Sequence, residues 1–324
     1  MTKLDELANI LKNAPDEVFI QPHNVPDPDA LASTFGLQFL LGKKGIPTKI
    51  VYESEVEKAN SLKMLELFRI ELYLPGEIET LGKEDWTVLV DVQKDNSNVS
   101  DLVTEEVAAI DHHESMGDKG YRFEDIRPEV GACSSIIARY FVENDIDIPN
   151  NVATALLYGI FMDTDNLTRG VSELDIEMFY HLYNKTDIAL INDLKSNQIS
   201  KLDLVDYAKA FSTVEVYDQL GFLCLDNGND SLLGAASDIV ITIAGVNVVV
   251  AYSIRDNGIK FSTRSINKKI KANLLVRYIL DGVGFGGGHE SMAGGFLPLE
   301  NLDLDKNLDT LVRHRAISYL ESSL

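Results

Sequence analysis

Short apolar runs alternate with longer stretches of helical spacing along the first half of the chain. Val18-Phe19-Ile20, Thr48 to Tyr52, Trp86 to Val90 and Val107 to Ile110 read as strands, the last two apolar enough to lie in a sheet covered on both faces. Asp29 to Lys43, Cys133 to Glu143 and Val152 to Met162 carry the helical period. This alternation predicts an α/β fold with a doubly wound, mainly parallel sheet. From Ile188 to Ala210 the chain is polar and helix-prone, which reads as a connector. Beyond it, Thr213 to Tyr217 and Phe222 to Leu225 read as strands. Ile239 to Ala244 reads as a strand pairing with Val246 to Ile254, and Asp256-Asn257-Gly258 as a hairpin turn into Ile259 to Arg264. With a helix over Ala272 to Leu280, this part predicts a smaller α/β domain with a mixed sheet. The expected division is a first domain over 1–187, a helical linker over 188–211 and a second domain over 212–324.

Charge narrows the range of partners. Lys and Arg number 29 against 51 Asp and Glu, a net charge of −22. Such a surface repels long nucleic acid, whose binding depends on phosphate neutralisation by Lys and Arg. A polyanionic substrate must therefore be small, or be gripped where metal ions or a few bases reverse the field. Cys133 and Cys224 lie far apart in apolar segments and read as free thiols in a reducing compartment. The opening MTKLDELANILKNAPDE has no uninterrupted apolar region of the kind a signal peptide needs. The most apolar window, Ile239 to Ile254, is interrupted by Thr242, Gly245, Asn247 and Ser253 and is too short to span a bilayer as a helix. The expectation is a cytoplasmic protein.

The candidate chemistry follows the strands. After Val18 to Ile20 come His23, Asp27 and Asp29; after Thr87 to Val90 comes Asp91; after Ala109-Ile110 come Asp111, His112 and His113. In an open α/β sheet the carboxyl ends of the strands share one edge, so these residues meet there. Asp163 follows the helical stretch ending at Met162. Singly, an Asp after a strand is most often a cap and a His a packing residue. Together, so many carboxylates would repel one another unless divalent cations neutralise them. Carboxylate and imidazole without thiolate favour Mn²⁺ or Mg²⁺, with Co²⁺, Fe²⁺ or Zn²⁺ as other options.

His23-x-x-x-Asp27-x-Asp29-Ala30, Asp91, Asp111-His112-His113 and Asp163-Thr164 resemble the four motifs of the DHH phosphoesterase superfamily, the RecJ-type phosphoesterases. Gly286-Gly287-Gly288-His289, followed by Ala293-Gly294-Gly295-Phe296, resembles the glycine-rich signature of the DHH-associated C-terminal domain, and Arg264 matches that domain's strand-borne arginine. The resemblance is to standalone two-lobe members such as nano-RNase/pAp phosphatases. It implies that His23, Asp27 and Asp91 bind one metal ion and that Asp29, Asp91, His112 and Asp163 bind a second, Asp91 bridging. It implies hydrolysis by a hydroxide shared between two ions, most simply Mn²⁺. Asp111 then orients the ligand loop and His113 contacts the reacting phosphate, the plainer reading of His113 being packing. Arg264, Gly286, Gly287, Gly288 and His289 are candidate substrate-binding residues, the glycines letting a phosphate approach backbone N–H groups in positive-φ conformations. This lobe is expected to face the metal lobe across a cleft.

Two departures matter. Pro28 stands where many relatives have glycine, and Asp163-Thr164 continues as Asp165-Asn166-Leu167-Thr168-Arg169-Gly170 rather than with glycine and an aromatic. Arg169 is a candidate for one more phosphate contact, against the plainer reading of a solvated loop arginine. The leading expectation is a two-metal phosphoesterase acting on nano-RNA, pAp-like bisphosphates or linear dinucleotides, with no membrane and no long duplex as partner and a homodimer left open. Three other readings stand beside it: a cyclic di-AMP phosphodiesterase, an inorganic pyrophosphatase or polyphosphatase, and a non-catalytic nucleotide-sensing module.

Overall fold

The computed structural model describes residues 1–53, 56, 59–196, 203–301 and 307–323. The chain divides into two compact units, Met1–Gln198 and Ile199–Leu324. Helices of the first unit are α1 (Lys3–Leu11), α2 (Pro28–Lys43), α3 (Ala59–Phe68), α4 (Cys133–Glu143), α5 (Asn150–Asp163), α6 (Glu173–Tyr183) and α7 (Ile188–Lys195). Its strands are β1 (Val18–Gln21), β2 (Thr48–Val51), β3 (Leu72–Tyr73), β4 (Trp86–Val90), β5 (Glu105–Asp111) and β6 (Phe123–Ile126). They form one sheet in the order β3-β2-β1-β4-β5-β6, every pair parallel. The direction of winding reverses between β1 and β4, and a ligand crevice lies outside the carboxyl ends of strands at such a switch.

Period-two alternation decides what covers each face. Val18, Ile20, Val88, Val90, Ala108 and Ile110 point into a core shared with all seven helices. Phe19, Leu89 and Ala109 point the other way and meet irregular chain: Ile78 and Leu81 on one side, Val92, Val99 and Tyr121 on the other. The sheet is doubly wound in strand order, but the β4–β5 and β5–β6 crossovers that wrap its second face are loops. At the centre of the helical face, α2 and α5 approach closely. A Cβ on Gly159 would lie 2.3 Å from Ser134 Oγ and 3.0 Å from Asp29 Oδ1, so only glycine fits there.

The second unit comprises α8 (Asp203–Ser212), β7 (Glu215–Tyr217), β8 (Leu220–Asp226), α9 (Asp230–Val240), β9 (Val248–Arg255), β10 (Gly258–Ser265), α10 (Ala272–Leu280), β11 (Phe285–Gly288), β12 (Met292–Pro298) and α11 (Leu308–Ser323). Its sheet runs β11-β12-β10-β9-β8-β7, with β8 and β9 parallel and the other pairs antiparallel, a mixed sheet.

Three expectations change. Ile239 to Ala244 is not a strand: Val240 ends α9, and Leu233, Ala236 and Val240 form a helical stripe packed on Leu223, Leu225, Val249 and Ala251. The glycine-rich stretch, expected to offer backbone N–H groups in positive-φ conformations, is a strand pair. Gly286 and Gly295 face each other across β11 and β12, and a Cβ on Gly295 would lie 2.4 Å from Leu280 Cδ1 of α10. Those glycines let α10 lie against the hairpin, and among 284–288 and 294–295 only Gly288 has a positive φ, 133°. The stretch expected as a linker is divided: α7 buries Ile191 and Leu194 in the core of the first unit, α8 buries Ala210 in the second, and 197–202 lie outside the described residues.

Candidate metal centre

β1 ends at Gln21, which is buried, its amide donating to Ser100 O at 2.8 Å. Asn24 Oδ1 accepts from Ser100 N and Asn24 N donates to Asn98 O, so the loop carrying His23 is held along its length. Asp27 is the N-cap of α2, accepting from the N–H groups of Asp29 and Ala30, and Pro28 sits where a helix start tolerates proline. Asp29 caps a different helix. Fully buried, its two oxygens accept from Cys133 N at 2.7 Å and Ser134 N at 2.9 Å, at the start of α4, where Ala132 supplies no side-chain cap.

Asp91 lies just past β4 at φ 61°, a left-handed conformation that Asp adopts more readily than most residues and that gathers at functional sites. Its carboxylate is 3 % exposed; Oδ2 lies 3.9 Å from His23 Nε2 and Oδ1 lies 3.3 Å from His112 Nε2. His112 Nε2 is also 3.1 Å from Asp163 Oδ2 at the end of α5. Ligand atoms of His23, Asp27 and Asp91, of Asp29, His112 and Asp163, and of Asp91, His112 and His113 form three groups, each within 4.8 Å of one another. All six proposed ligands thus come together, and Asp91 belongs to two of the groups.

The ring tautomers follow from their partners. Val130 O, 3.2 Å away, can only accept, so His112 Nδ1 carries hydrogen and Nε2 is the ring nitrogen that would meet a cation. His113 Nδ1 lies 2.8 Å from Asp111 Oδ1, while Asp111 Oδ2 accepts from Gln93 Nε2 at 2.7 Å and Oδ1 from the His112 N–H. Asp111 is therefore an orienting residue, and Gln93 fixes it in turn. Gln93 Oε1 also accepts from Met116 N.

Electrostatics agree with a site built for cations. Burial, then the charges of Asp91 and Asp163, push the Asp29 carboxyl well above its ordinary range. Burial also raises Asp91 against the opposing influence of His112 and His113. For His112, burial alone would lower the imidazole, but Asp163 and Asp91 outweigh it and raise it well above the usual value. His113 behaves likewise: burial disfavours its charge, Asp111 and Asp91 favour it, and the result is about 9. Asp111, opposed by burial, is held below the usual carboxylate range by His113 and Gln93. Asp91 Oδ1 and His112 Nε2 are buried without a hydrogen bond, a costly state for polar atoms unless another group binds them. These two atoms, in a carboxylate and imidazole set without thiolate, fit hard or borderline divalent cations.

One supporting residue gave no chemical signal in the sequence. Asp175 of α6 is fully buried and accepts from Gly131 N, Ser135 Oγ, Ser172 N and Ser172 Oγ. It fixes the backbone next to Val130, whose carbonyl orients His112. Ser172-x-x-Asp175 is a capping box, so the helix start was readable, but the reach to Gly131 was not. A Cβ on Gly131 would lie 2.7 Å from Asp175 Oδ2 and 2.8 Å from Gly170 O.

In the second unit, Arg264 lies on β10 opposite Met292 of β12, and His289 N donates to Met292 O, which brings both to one end of that sheet. The Arg264 guanidinium is nearly buried, with Nε on Asp238 Oδ1 at 2.5 Å and NH1 on Ser262 Oγ at 3.0 Å. Gly286, Gly287 and Gly288 lie on the edge strand β11.

Residues 17–160 match the DHH family, N-terminal domain, and residues 218–313 match the DHHA1 domain. The uncharacterized protein MJ1633 of Methanocaldococcus jannaschii is 30% identical over 292 residues, 89% of this chain and 59% of that protein, so this chain spans little more than half its relative's length. A protein named as a probable manganese-dependent inorganic pyrophosphatase from Streptococcus thermophilus is 29% identical over 157 residues, 46% of this chain and 48% of its own length. Among solved structures, an exopolyphosphatase-related protein from Bacteroides fragilis superposes with a TM-score of 0.80 at 19% identity, covering 99% of this chain and 97% of that one, which shows a common fold. No described helix is long and apolar enough to cross a membrane. With both domains matched in order and the sequence motifs gathered at one sheet edge, the chain belongs to the DHH phosphoesterase superfamily, whose members are metal-dependent phosphoesterases.

Proposed function

We propose that this chain is a two-metal phosphoesterase that hydrolyses short nucleotide substrates: oligoribonucleotides of a few residues, pAp-like bisphosphates and linear dinucleotides. One observation carries the reading. Six acid and imidazole side chains from separate segments gather around two buried atoms, Asp91 Oδ1 and His112 Nε2, that the protein leaves without hydrogen bonds. His23, Asp27 and Asp91 would hold one cation, and Asp29, Asp91, His112 and Asp163 the other. Bound there, two divalent cations, Mn²⁺ foremost, polarise the phosphate and lower the pKa of an attacking water.

The chain's own residues do the rest. Asp111 keeps His113 charged and oriented, so His113 donates to a phosphate oxygen as negative charge grows on it. Val130 O and Asp111 fix the two imidazoles, so little reorganisation accompanies reaction. Water adds its oxygen to phosphorus, the P–O bond to the leaving ribose oxygen breaks, and that oxygen takes up a proton. Arg264, Gly286, Gly287, Gly288 and His289 serve substrate binding in the second unit; Asp238, 61 % exposed, is a partner an arriving phosphate can displace from Arg264.

An organic phosphoester is favoured over bare pyrophosphate by the cations of the second unit. Lys260 and Arg255 pair with Asp230, Lys271 with Glu290, and Arg313 with Asp309 and Glu215, and Arg277 and Arg315 donate to main-chain carbonyls, so most of these cations are already engaged. The test is a panel of pApA, pAp, cyclic di-AMP and pyrophosphate with Mn²⁺, scored for mononucleotide against free phosphate. Release of AMP from pApA supports the reading. Turnover of pyrophosphate alone, or of cyclic di-AMP alone, replaces it with one of the rival activities.

A further inference from the structure

Just past Asp163 the chain makes an unusual turn. Asp165, Asn166 and Leu167 stand consecutively in the left-handed region, at φ 47°, 57° and 65°, followed by Gly170 at 61°. Left-handed backbone costs roughly 1–2 kcal/mol for each L-residue, least for Asn and Asp, and a leucine rarely adopts it. The turn is held by Asn166 N on Phe161 O, Thr168 N and Arg169 N on Thr164 O, and Leu167 N on Thr164 Oγ1. Its outcome is the position of Arg169, whose NH2 donates to Asp163 O at 3.0 Å.

Its place beside the metal centre distinguishes this arginine in a chain of net charge −22. Arg122, Arg127, Arg139, Arg255, Arg264 and Arg313 each pair with a carboxylate; Arg277 and Arg315 donate to main-chain carbonyls of the second unit, and Arg169 donates to the main-chain carbonyl of a residue of the metal centre itself. Lys195, at the end of α7, reaches the turn with its Nζ donating to Asn166 Oδ1 and forms no ion pair among the described residues. The ligand carboxylates Asp27, Asp29, Asp91 and Asp163 balance two dications, so the centre brings no surplus positive charge to a second phosphate. A guanidinium held on the main chain of a ligand residue supplies it, with a planar fork suited to phosphate.

We propose that Arg169 is a specificity-determining residue that binds the non-reacting phosphate of substrates carrying two phosphate groups, with Lys195 beside it. This rests on the phosphoesterase reading and sharpens it: the substrate class is one with a second phosphate near the scissile one, such as a 5′-phosphorylated dinucleotide. The contact is made equally in substrate and transition state, so it acts on KM more than on kcat.

Steady-state cleavage of pApA and ApA by the full chain in Mn²⁺, together with calorimetric Mn²⁺ binding to the metal-free chain, tests it. Wild type prefers pApA in kcat/KM by about tenfold or more. Arg169→Gln raises KM for pApA enough to remove that preference, Arg169→Lys recovers part of it, and Mn²⁺ affinity changes less than about threefold in either variant. A wild type indifferent to the 5′-phosphate, an Arg169→Gln chain that keeps its preference, or a fall in Mn²⁺ affinity matching the loss of activity overturns the proposal. Failure of the wild type to cleave either dinucleotide overturns the phosphoesterase reading on nucleotides and this inference with it, a result distinct from the other three.

Discussion

The two units build sheets of equal strand number and leave their buried charges in opposite states. In the second unit polar groups close on one another: Arg264 on Asp238 and Ser262, Tyr252 on Asp309, and Asp309 on Arg313. Among its described residues no buried side-chain nitrogen or oxygen lacks a hydrogen bond. The first unit leaves several unsatisfied, Gln21 Oε1, Thr48 Oγ1 and Ser61 Oγ together with Asp91 Oδ1 and His112 Nε2 at the mouth of a parallel sheet. Strand direction is the cause. Parallel strands deliver every carboxyl end to one edge, where acids from different crossovers accumulate; a mixed sheet distributes its ends between two edges, where opposite charges find each other.

The sharpest way to break this contrast is to remove one group from each side. Asp91→Ala is expected to lower Mn²⁺-dependent hydrolysis on the order of a thousandfold or more, the several kcal/mol that metal-ion charge stabilisation supplies. Asp238→Ala in the second unit should change kcat/KM by less than about tenfold. Parallel measurement of both rates and of bound manganese decides; equal losses would erase the distinction between the units.

Asp175 tests whether the supporting network matters to the metal. Asp175→Ala strands donors from Gly131, Ser135 and Ser172 in the interior, for a loss of about 3 kcal/mol. Trp86, the single tryptophan, is buried in β4, so its fluorescence in urea reports the first unit directly. Mn²⁺ affinity should fall roughly tenfold, as when a group behind a ligand is removed.

Gly295→Ala is the counterpart in the second unit. The added methyl meets Leu280 Cδ1 at 2.4 Å and Val276 Cγ2 at 2.9 Å, an overpacking of about 2 kcal/mol. It should loosen α10 while leaving Trp86 fluorescence and manganese binding at their wild-type values. A coupled loss in the first unit would show that the two do not fold as separate compact bodies.

The smallest effect expected is a pH dependence confined to the first unit. His113 is raised from 6.5 to about 9, so in the metal-free chain its contribution to stability is complete below pH 6.5 and lost as pH rises through 9. The raised Asp29 and Asp91 act in the same direction, favouring the folded chain where they are protonated and losing that advantage as they ionise. Between pH 6 and 9.5 the metal-free melting temperature should drop, by a few degrees because solvent screening reduces the effect of a His113 side chain that is 39 % exposed. Manganese needs the ligands deprotonated, so its stabilising shift should grow over the same range. A metal-free melting temperature that rises with pH would contradict the charge balance derived for the site.

Most of the fold and of the site is legible in the order of residues. Every candidate position follows an apolar run whose type is readable, so His23, Asp27, Asp29, Asp91, Asp111, His112, His113 and Asp163 stand out from the chain alone, and the family resemblance proposes which of them hold metal. Where the expectations fail, the causes are physical. Ile239 to Ala244 is apolar at almost every position, and such a run satisfies helix and strand periods alike; packing of α9 decides it. The glycine-rich run suggests backbone exposed to a phosphate, yet at 286 and 295 the missing side chains make room for Val276 and Leu280. Gln93 and Asp175 give no signal because polar residues near a strand end and in a helix have many ordinary uses.

By itself the sequence determined the order of apolar runs, hence the parallel sheet, and the acids that trail each run, hence a place for cations. Only the tertiary structure decided how those acids are employed: Asp27 caps its own helix, Asp29 caps α4, Asp111 orients the His113 imidazole, and Asp91 keeps a buried oxygen beside His112 Nε2 without a hydrogen bond. The reason is that hydrogen-bond satisfaction is settled by neighbours in space. Asp29 meets Cys133 across 104 positions of sequence, and Asp175 meets Gly131 across 44, separations over which local pattern carries no information.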